Sequence, residues 1–102
     1  MKIVVLLLVI LSGVVRDQTT GQALAGVGIQ VDGKQTVTDS AGHYLIRGVH
    51  AGAQTLTVGS KDVPSQRFHV IAKPPATRFD MRACSTTLDY NCSGPAGSLQ
   101  NG

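Results

Sequence analysis

Three observations predict an all-β chain, a single seven-stranded antiparallel Greek-key β-sandwich. First, short apolar segments alternate with polar residues, as in Val27-Gly28-Ile29-Gln30-Val31 and Thr55-Leu56-Thr57-Val58, the period of a half-buried strand. Second, these segments are separated by turns built on Gly, Asp and Thr, such as Asp32-Gly33 and Asp39-Ser40-Ala41-Gly42, whose side chains or positive φ suit tight reversals. Third, no helical period appears anywhere, and none of the six acidic residues is Glu, a strong helix former.

The elements follow in order. A first strand covers Leu11–Arg16, and Thr19-Thr20-Gly21 turns the chain. Val27, Ile29 and Val31 point one way in the second strand, Val27–Val31, and Asp32-Gly33 is a strong two-residue hairpin turn. The third strand, Gln35–Thr38, is expected to place Val37 inward. The fourth, His43–Arg47, sends Tyr44 and Ile46 to the core, and Gly48–Gly52 reads as a tight connection. Strand five, Ala53–Val58, buries Leu56 and Val58. After a polar loop, Gly59–Ser65, strand six, Gln66–Ala72, turns Phe68 and Val70 inward with Arg67 and His69 outward. Lys73-Pro74-Pro75 breaks it, and strand seven, Thr77–Arg82, buries Phe79 and Met81.

Composition narrows the function. A chain of 102 residues has room for one domain. With no Trp, two Phe and two Tyr, its core is built from Val, Leu and Ile. The net charge is +3, but Lys and Arg are scattered rather than clustered. A nucleic-acid interface needs a basic face, usually with stacking aromatics, so nucleic acid is not expected as a partner.

The ends differ from the middle. Met1-Lys2 precedes nine unbroken apolar residues: Ile3, Val4, Val5, Leu6, Leu7, Leu8, Val9, Ile10 and Leu11. A charged start and an apolar run of this length fit an export signal, and the run is too short for a stable transmembrane span. No Ala-x-Ala cleavage pattern follows, so a second reading stands beside the first: the segment is retained as an assembly strand lying against a neighbouring subunit. At the other end Cys84 and Cys92 are the only cysteines. In an exported chain such a pair is expected to form a disulfide; free thiols or bridges to other chains are the alternatives. The Gly-, Ser- and Pro-containing residues 93–102 make a tail. Asn91-Cys92-Ser93 matches the glycosylation pattern, although a disulfide-bonded middle residue makes it a poor acceptor. The expected division is residues 1–12 as the apolar segment, 13–83 as the sandwich, and 84–102 as disulfide loop and tail.

Gly13, Val15, Asp17, Thr20, Gly21, Leu24, Gly26 and Val27, followed by Thr38, Asp39, Gly42, Tyr44, Gly48, Gly52, Leu56 and Val58, carry a resemblance to the carboxypeptidase regulatory-like family. Its fold is similar to transthyretin (prealbumin-like). The resemblance covers about Gly13 to Ile71, with Ala23 standing where the family usually has Pro. It implies an accessory, non-catalytic module of the kind found on peptidases, outer-membrane transporters, adhesins and surface proteins. Enzymes of related fold leave no trace of their motifs: the chain ends Leu99-Gln100-Asn101-Gly102 rather than Tyr-Arg-Gly-Ser, and without Glu there is no His-x-x-Glu zinc motif.

Other constellations are weaker. His43, His50 and His69 would form a metal site only if His43 and His69 lay on adjacent strands; surface histidines without such a role are the simpler reading. Asp32 and Asp39 flank a strand without EF-hand spacing, and turn chemistry accounts for both. Tyr44 and Phe79 fall on inward positions rather than on a sugar-stacking platform. No catalytic, cofactor or metal residue is therefore expected. The sequence points to a non-enzymatic exported protein, extracellular, at the cell surface or in the periplasm. Its role would be structural or in protein–protein contact, including self-association as a filament subunit through N-terminal strand exchange. The alternative is a secreted module that binds a glycan or peptide.

Overall fold

A computed structural model describes residues 8–85. The described chain contains no helix. It is a β-sandwich of eight strands: β1 Leu8–Asp17, β2 Gly28–Val31, β3 Lys34–Val37, β4 His43–His50, β5 Gly52–Gly59, β6 Gln66–Ala72, β7 Ala76–Arg78 and β8 Met81–Ala83. One sheet has the order β4-β1-β7, with β8 also paired to β1; the other has the order β3-β2-β5-β6. Between them Val9, Leu11, Val15, Ile29, Val31, Tyr44, Ile46, Val49, Leu56, Val58, Val70 and Met81 form one apolar core.

Where alternation is clean, sequence and structure agree. Strand six occupies Gln66–Ala72 as expected, and Tyr44, Ile46, Leu56 and Val58 are buried while His43 and His69 are exposed. Phe68 and Phe79 pack against the core only partly buried. Asp32 and Gly33 form the β2–β3 turn, both with positive φ (52° and 74°), and Val31 pairs with Lys34 across it. Two left-handed residues give the turn the twist of its flanking strands.

Several expectations change. Strand one begins at Leu8 rather than Leu11 and is central: Leu8–Val14 pairs antiparallel with β4, and Ile10–Ser12 pairs parallel with β7. Leu8 and Ile10 are 49% and 37% exposed, whereas Val9 and Leu11 are 1% and 0% exposed. The apolar run thus hides a period-two strand. The expected boundary between residues 12 and 13 falls inside β1. Leu8, Val9, Ile10 and Leu11, expected in an assembly strand against a neighbour, belong to the domain's own sheet; Ile3, Val4, Val5, Leu6 and Leu7 lie outside the described residues.

The connection expected at Gly48–Gly52 is largely strand. Val9 pairs with Val49 and Leu11 with Ile46, so Arg47 and Gly48 together oppose Ile10. This is a β-bulge, an extra residue absorbed without ending the strand. The sandwich is also not wholly antiparallel, since β7 and β8 run parallel to β1. The expected seventh strand is split into β7 and β8 at Phe79-Asp80, where this segment lies close against β1. A Cβ on Gly13 would sit 2.0 Å from the Phe79 carbonyl oxygen. There the Asp80 side chain replaces a backbone partner, its Oδ1 accepting the Val14 N–H at 3.0 Å. The Tyr44 hydroxyl donates to the Phe79 carbonyl, and burial pushes its pKa above the usual tyrosine range. Finally, Val37 points outward, 61% exposed. The inward position is taken by Thr38, whose hydroxyl accepts from Val27 N–H (2.9 Å) and donates to the Leu24 carbonyl (2.6 Å).

Candidate interaction surface

The carboxylates do structural work at the ends of strands. Asp17 is fully buried. Its Oδ2 accepts the backbone N–H groups of Thr19 (3.0 Å) and Thr20 (2.8 Å), and its Oδ1 that of Ser85 (3.3 Å). Burial alone would raise its pKa; the bonds from Thr20, Thr19 and Ser85 outweigh it and hold the carboxyl below the usual range. Asp39 accepts from Ala41 N–H and His43 N–H, both at 2.9 Å, folding the β3–β4 turn. Asp32 accepts the His50 backbone N–H at 2.9 Å and meets His50 Nδ1 at 2.8 Å, tying the β2–β3 turn to the end of β4. Hydrogen bonds from His50 lower the Asp32 pKa, and the bond from His43 N–H lowers that of Asp39.

The histidines stay apart. His43 is on β4 and His69 on β6, in different sheets, so the metal pairing considered from the sequence is not assembled. His43 Nδ1 lies 4.0 Å from Asp39, and His69 Nδ1 lies 3.1 Å from the Thr55 hydroxyl. Among the described residues no three His, Cys, Asp or Glu side chains gather as metal ligands. Cys84 follows β8 and is fully buried; Cys92, its expected partner, lies outside the described residues, as do Asn91 and the tail.

Apart from Asp17, Asp lies outside the described strands, and the second sheet carries no acid. Asp17, at the end of β1, is the one carboxylate in any described strand, and β2, β3, β5 and β6 have none. The outer face of the second sheet presents Gln30, Thr55, Thr57, Arg67, His69 and Ile71. Cross-strand pairs set Thr55 beside His69, Thr57 beside Arg67 and Ala53 beside Ile71. A shallow pocket lies on this face, lined by Ala53, Gln54, Thr55, His69, Val70 and Ile71. Ile71 is 55% exposed there. The face is polar with an apolar spot at Ile71, and Arg67 gives it a positive charge.

The edges of the sheets are treated unequally. β3 packs against β4, closing one corner of the sandwich. β7 and β8 have three residues each, too short to template a long added strand. β6 has seven residues and ends its sheet. Its start is pinned by the Gln66 carboxamide, which accepts the Cys84 N–H (3.1 Å) and donates to the Cys84 carbonyl (3.4 Å). Beyond its other end the Thr77 hydroxyl accepts the Lys73 N–H at 2.7 Å. Between these pins, the backbone from Arg67 to Ile71 has β5 as its sole backbone partner among the described residues. Sequence reasoning placed β6 correctly but gave no sign that no described strand pairs with its far edge, because neighbours in a sheet are a property of the whole fold.

Comparison with known proteins places this geometry. No curated protein sequence matches the chain. Among solved structures, a chain of the type II cohesin–X–dockerin complex from Acetivibrio cellulolyticus is similar, with a TM-score of 0.58, 20% identity, and coverage of 72% of this chain and 52% of that one. The catechol 1,2-dioxygenases of Pseudomonas arvilla C-1 (TM-score 0.61, 11% identity) and Acinetobacter sp. ADP1 (TM-score 0.59, 9% identity) are also similar, each match covering 78% of this chain and 53% of theirs. The match therefore spans about half the length of these proteins, and at such identities it shows a shared sandwich fold. The family model for the carboxypeptidase regulatory-like domain matches residues 10–82, which include all of β1 after Val9 and reach into β8. The chain belongs to the carboxypeptidase regulatory-like domain family.

Proposed function

We propose that this domain is a non-enzymatic protein-contact module, working outside the cytoplasm as part of an exported protein. One observation carries the reading: the side chains that could do chemistry are spent on holding turns, while a broad, acid-free sheet face stands open. Asp17, Asp32, Asp39 and Asp80 each accept backbone N–H groups. A polar sheet face bearing Arg67 and an exposed Ile71 suits contact with another protein surface, where polar groups surround an apolar centre. In an exported chain Cys84 and Cys92 would form a disulfide.

Self-association by exchange of the N-terminal strand is a narrower form of this reading. Val9 and Leu11 are already buried in their own core, so an exchanged β1 would have to leave one sandwich to complete another, as in domain swapping. A glycan- or peptide-binding role through the loops is less supported, because Asp32 and Asp39 in those loops are engaged in turn hydrogen bonds.

Photo-crosslinking in the native host tests the proposal. A photoreactive residue replacing Thr57, on the outer face of the second sheet, should trap one defined protein, and the same residue replacing Ser40, in the β3–β4 turn, should not. Crosslinks to protein from neither site, together with turnover of a small molecule by the purified chain, would overturn the reading.

A further inference from the structure

We propose that the β6 edge accepts an extended acidic segment of a partner protein as an added strand. This rests on the reading of the domain as a protein-contact module and names the chemistry of what it contacts. An uncovered sheet edge presents a row of unpaired N–H and C=O groups, ready to pair with another chain. Such edges are usually kept short or blocked by Lys, Pro or a bulge. β6 is seven residues long, its ladder with β5 runs from Gln66 to Ala72 without a register break, and Lys73-Pro74-Pro75 begins only after it ends. Gln66 at one end and Thr77 at the other tie β6 to its surroundings, and among the described residues only β5 pairs with the backbone of Arg67–Ile71.

Charge selects the occupant. Arg67 and His69 alternate along β6, both exposed on the outer face, and Arg67 has no ion-pair partner among the described residues. No strand of this sheet carries an acid. A second copy of the chain would bring Arg67 and His69 against their own equivalents, with no carboxylate between them. An extended segment with Asp or Glu at alternate positions would set its acids beside Arg67 and His69, while its backbone completes the β6 ladder. Ile71 and the shallow pocket beside it offer an apolar seat at the end of the same row.

The test uses the full chain labelled with 15N and two blocked peptides of about seven residues, the length of β6. One alternates Glu and Thr; the other alternates Lys and Thr. The Glu peptide should slow hydrogen exchange of amides between Arg67 and Ile71 and shift their resonances. Its affinity should fall with added salt. The exposed double variant Arg67→Glu/His69→Glu should weaken it by roughly ten-fold or more and make the Lys peptide the better ligand. Shifts that map instead to the outer face of β4 and β1 would overturn the edge and leave the contact-module reading intact. The inference is equally overturned by equal binding of both peptides, or by binding of neither. It also fails if the open-edge amides are already as protected in the free chain as those of β5, or if sedimentation shows two chains joined through β6.

Discussion

Removing residues 1–12 should unfold this domain, whereas removing residues 1–7 should leave it folded. The longer deletion takes away Leu8 to Ser12, half of the central strand of its sheet. Val9 and Leu11 lose their places in the core at 1% and 0% exposure. Burial of a Val or Leu contributes about 1.5–3 kcal/mol, and emptying such a site costs about 2–5 kcal/mol once the cavity is included. Two sites together cost about 4–10 kcal/mol, against a total stability of about 5–15 kcal/mol for a domain of ordinary size. The lost pairing with Val49, Ile46, Ala76 and Thr77 adds to this. Thermal unfolding by circular dichroism, with a 15N–1H spectrum of each variant, measures the outcome. The shorter deletion should melt cooperatively, and the longer one should lack dispersed resonances. If the chain lacking residues 1–12 melts cooperatively within about 5 °C of the full protein, an apparent loss of about 1 kcal/mol or less, β1 does not begin where it is drawn and export cleavage near residue 12 regains its place.

Four further outcomes follow from the turns, the close approach of strands and the cysteine pair. Asp17→Ala strands the buried Ser85 N–H as well as those of Thr19 and Thr20, and should cost about 2–4 kcal/mol in urea unfolding at pH 7; a loss below about 0.5 kcal/mol would contradict the buried clip. Asp17, Asp32 and Asp39 all have folded pKa values below the ordinary 3.8. The unfolded chain therefore takes up protons first as pH falls, and their contribution, complete at neutral pH, is lost below about pH 4. Asp17→Asn should flatten that decline, and an unchanged pH profile would refute its part. Gly13→Ala forces a Cβ to within 2.0 Å of the Phe79 oxygen, a backbone atom that cannot rotate away. It should cost about 1–3 kcal/mol or more, and an unaltered melting temperature would mean that β1 and the β7–β8 segment do not cross as described. Non-reducing mass analysis of protein from its native compartment should find Cys84 and Cys92 joined, and two reactive thiols would remove both the bridge and the argument for export.

The sequence by itself determined the class of fold, the middle strands and the turns. These are local matters. Val27 to Val31 and Thr55 to Val58 alternate because one face of each strand is wet, and Asp32-Gly33 and Asp39 to Gly42 turn because of their own side chains and φ preferences. It also carried the family pattern at those turn and core positions. The candidate surface was legible in part: Arg67 and His69 were expected outward, and they are. Tertiary structure decided the rest. The start of β1 was hidden because Leu8 and Ile10 are apolar on the outer face, which erases the alternation that marks a strand. The bulge at Arg47 and Gly48 looks like a turn to any reading that sees glycines but not the opposing Ile10. Val37, apolar on a short outer strand, faces outward because the buried position went to Thr38, whose hydroxyl bonds residues 11 and 14 places away in the chain. Which strands neighbour each other, and so which edge is left open, depends on pairings such as Ser12 with Arg78. No local pattern encodes them, because the free energy that selects them comes from closing the core as a whole.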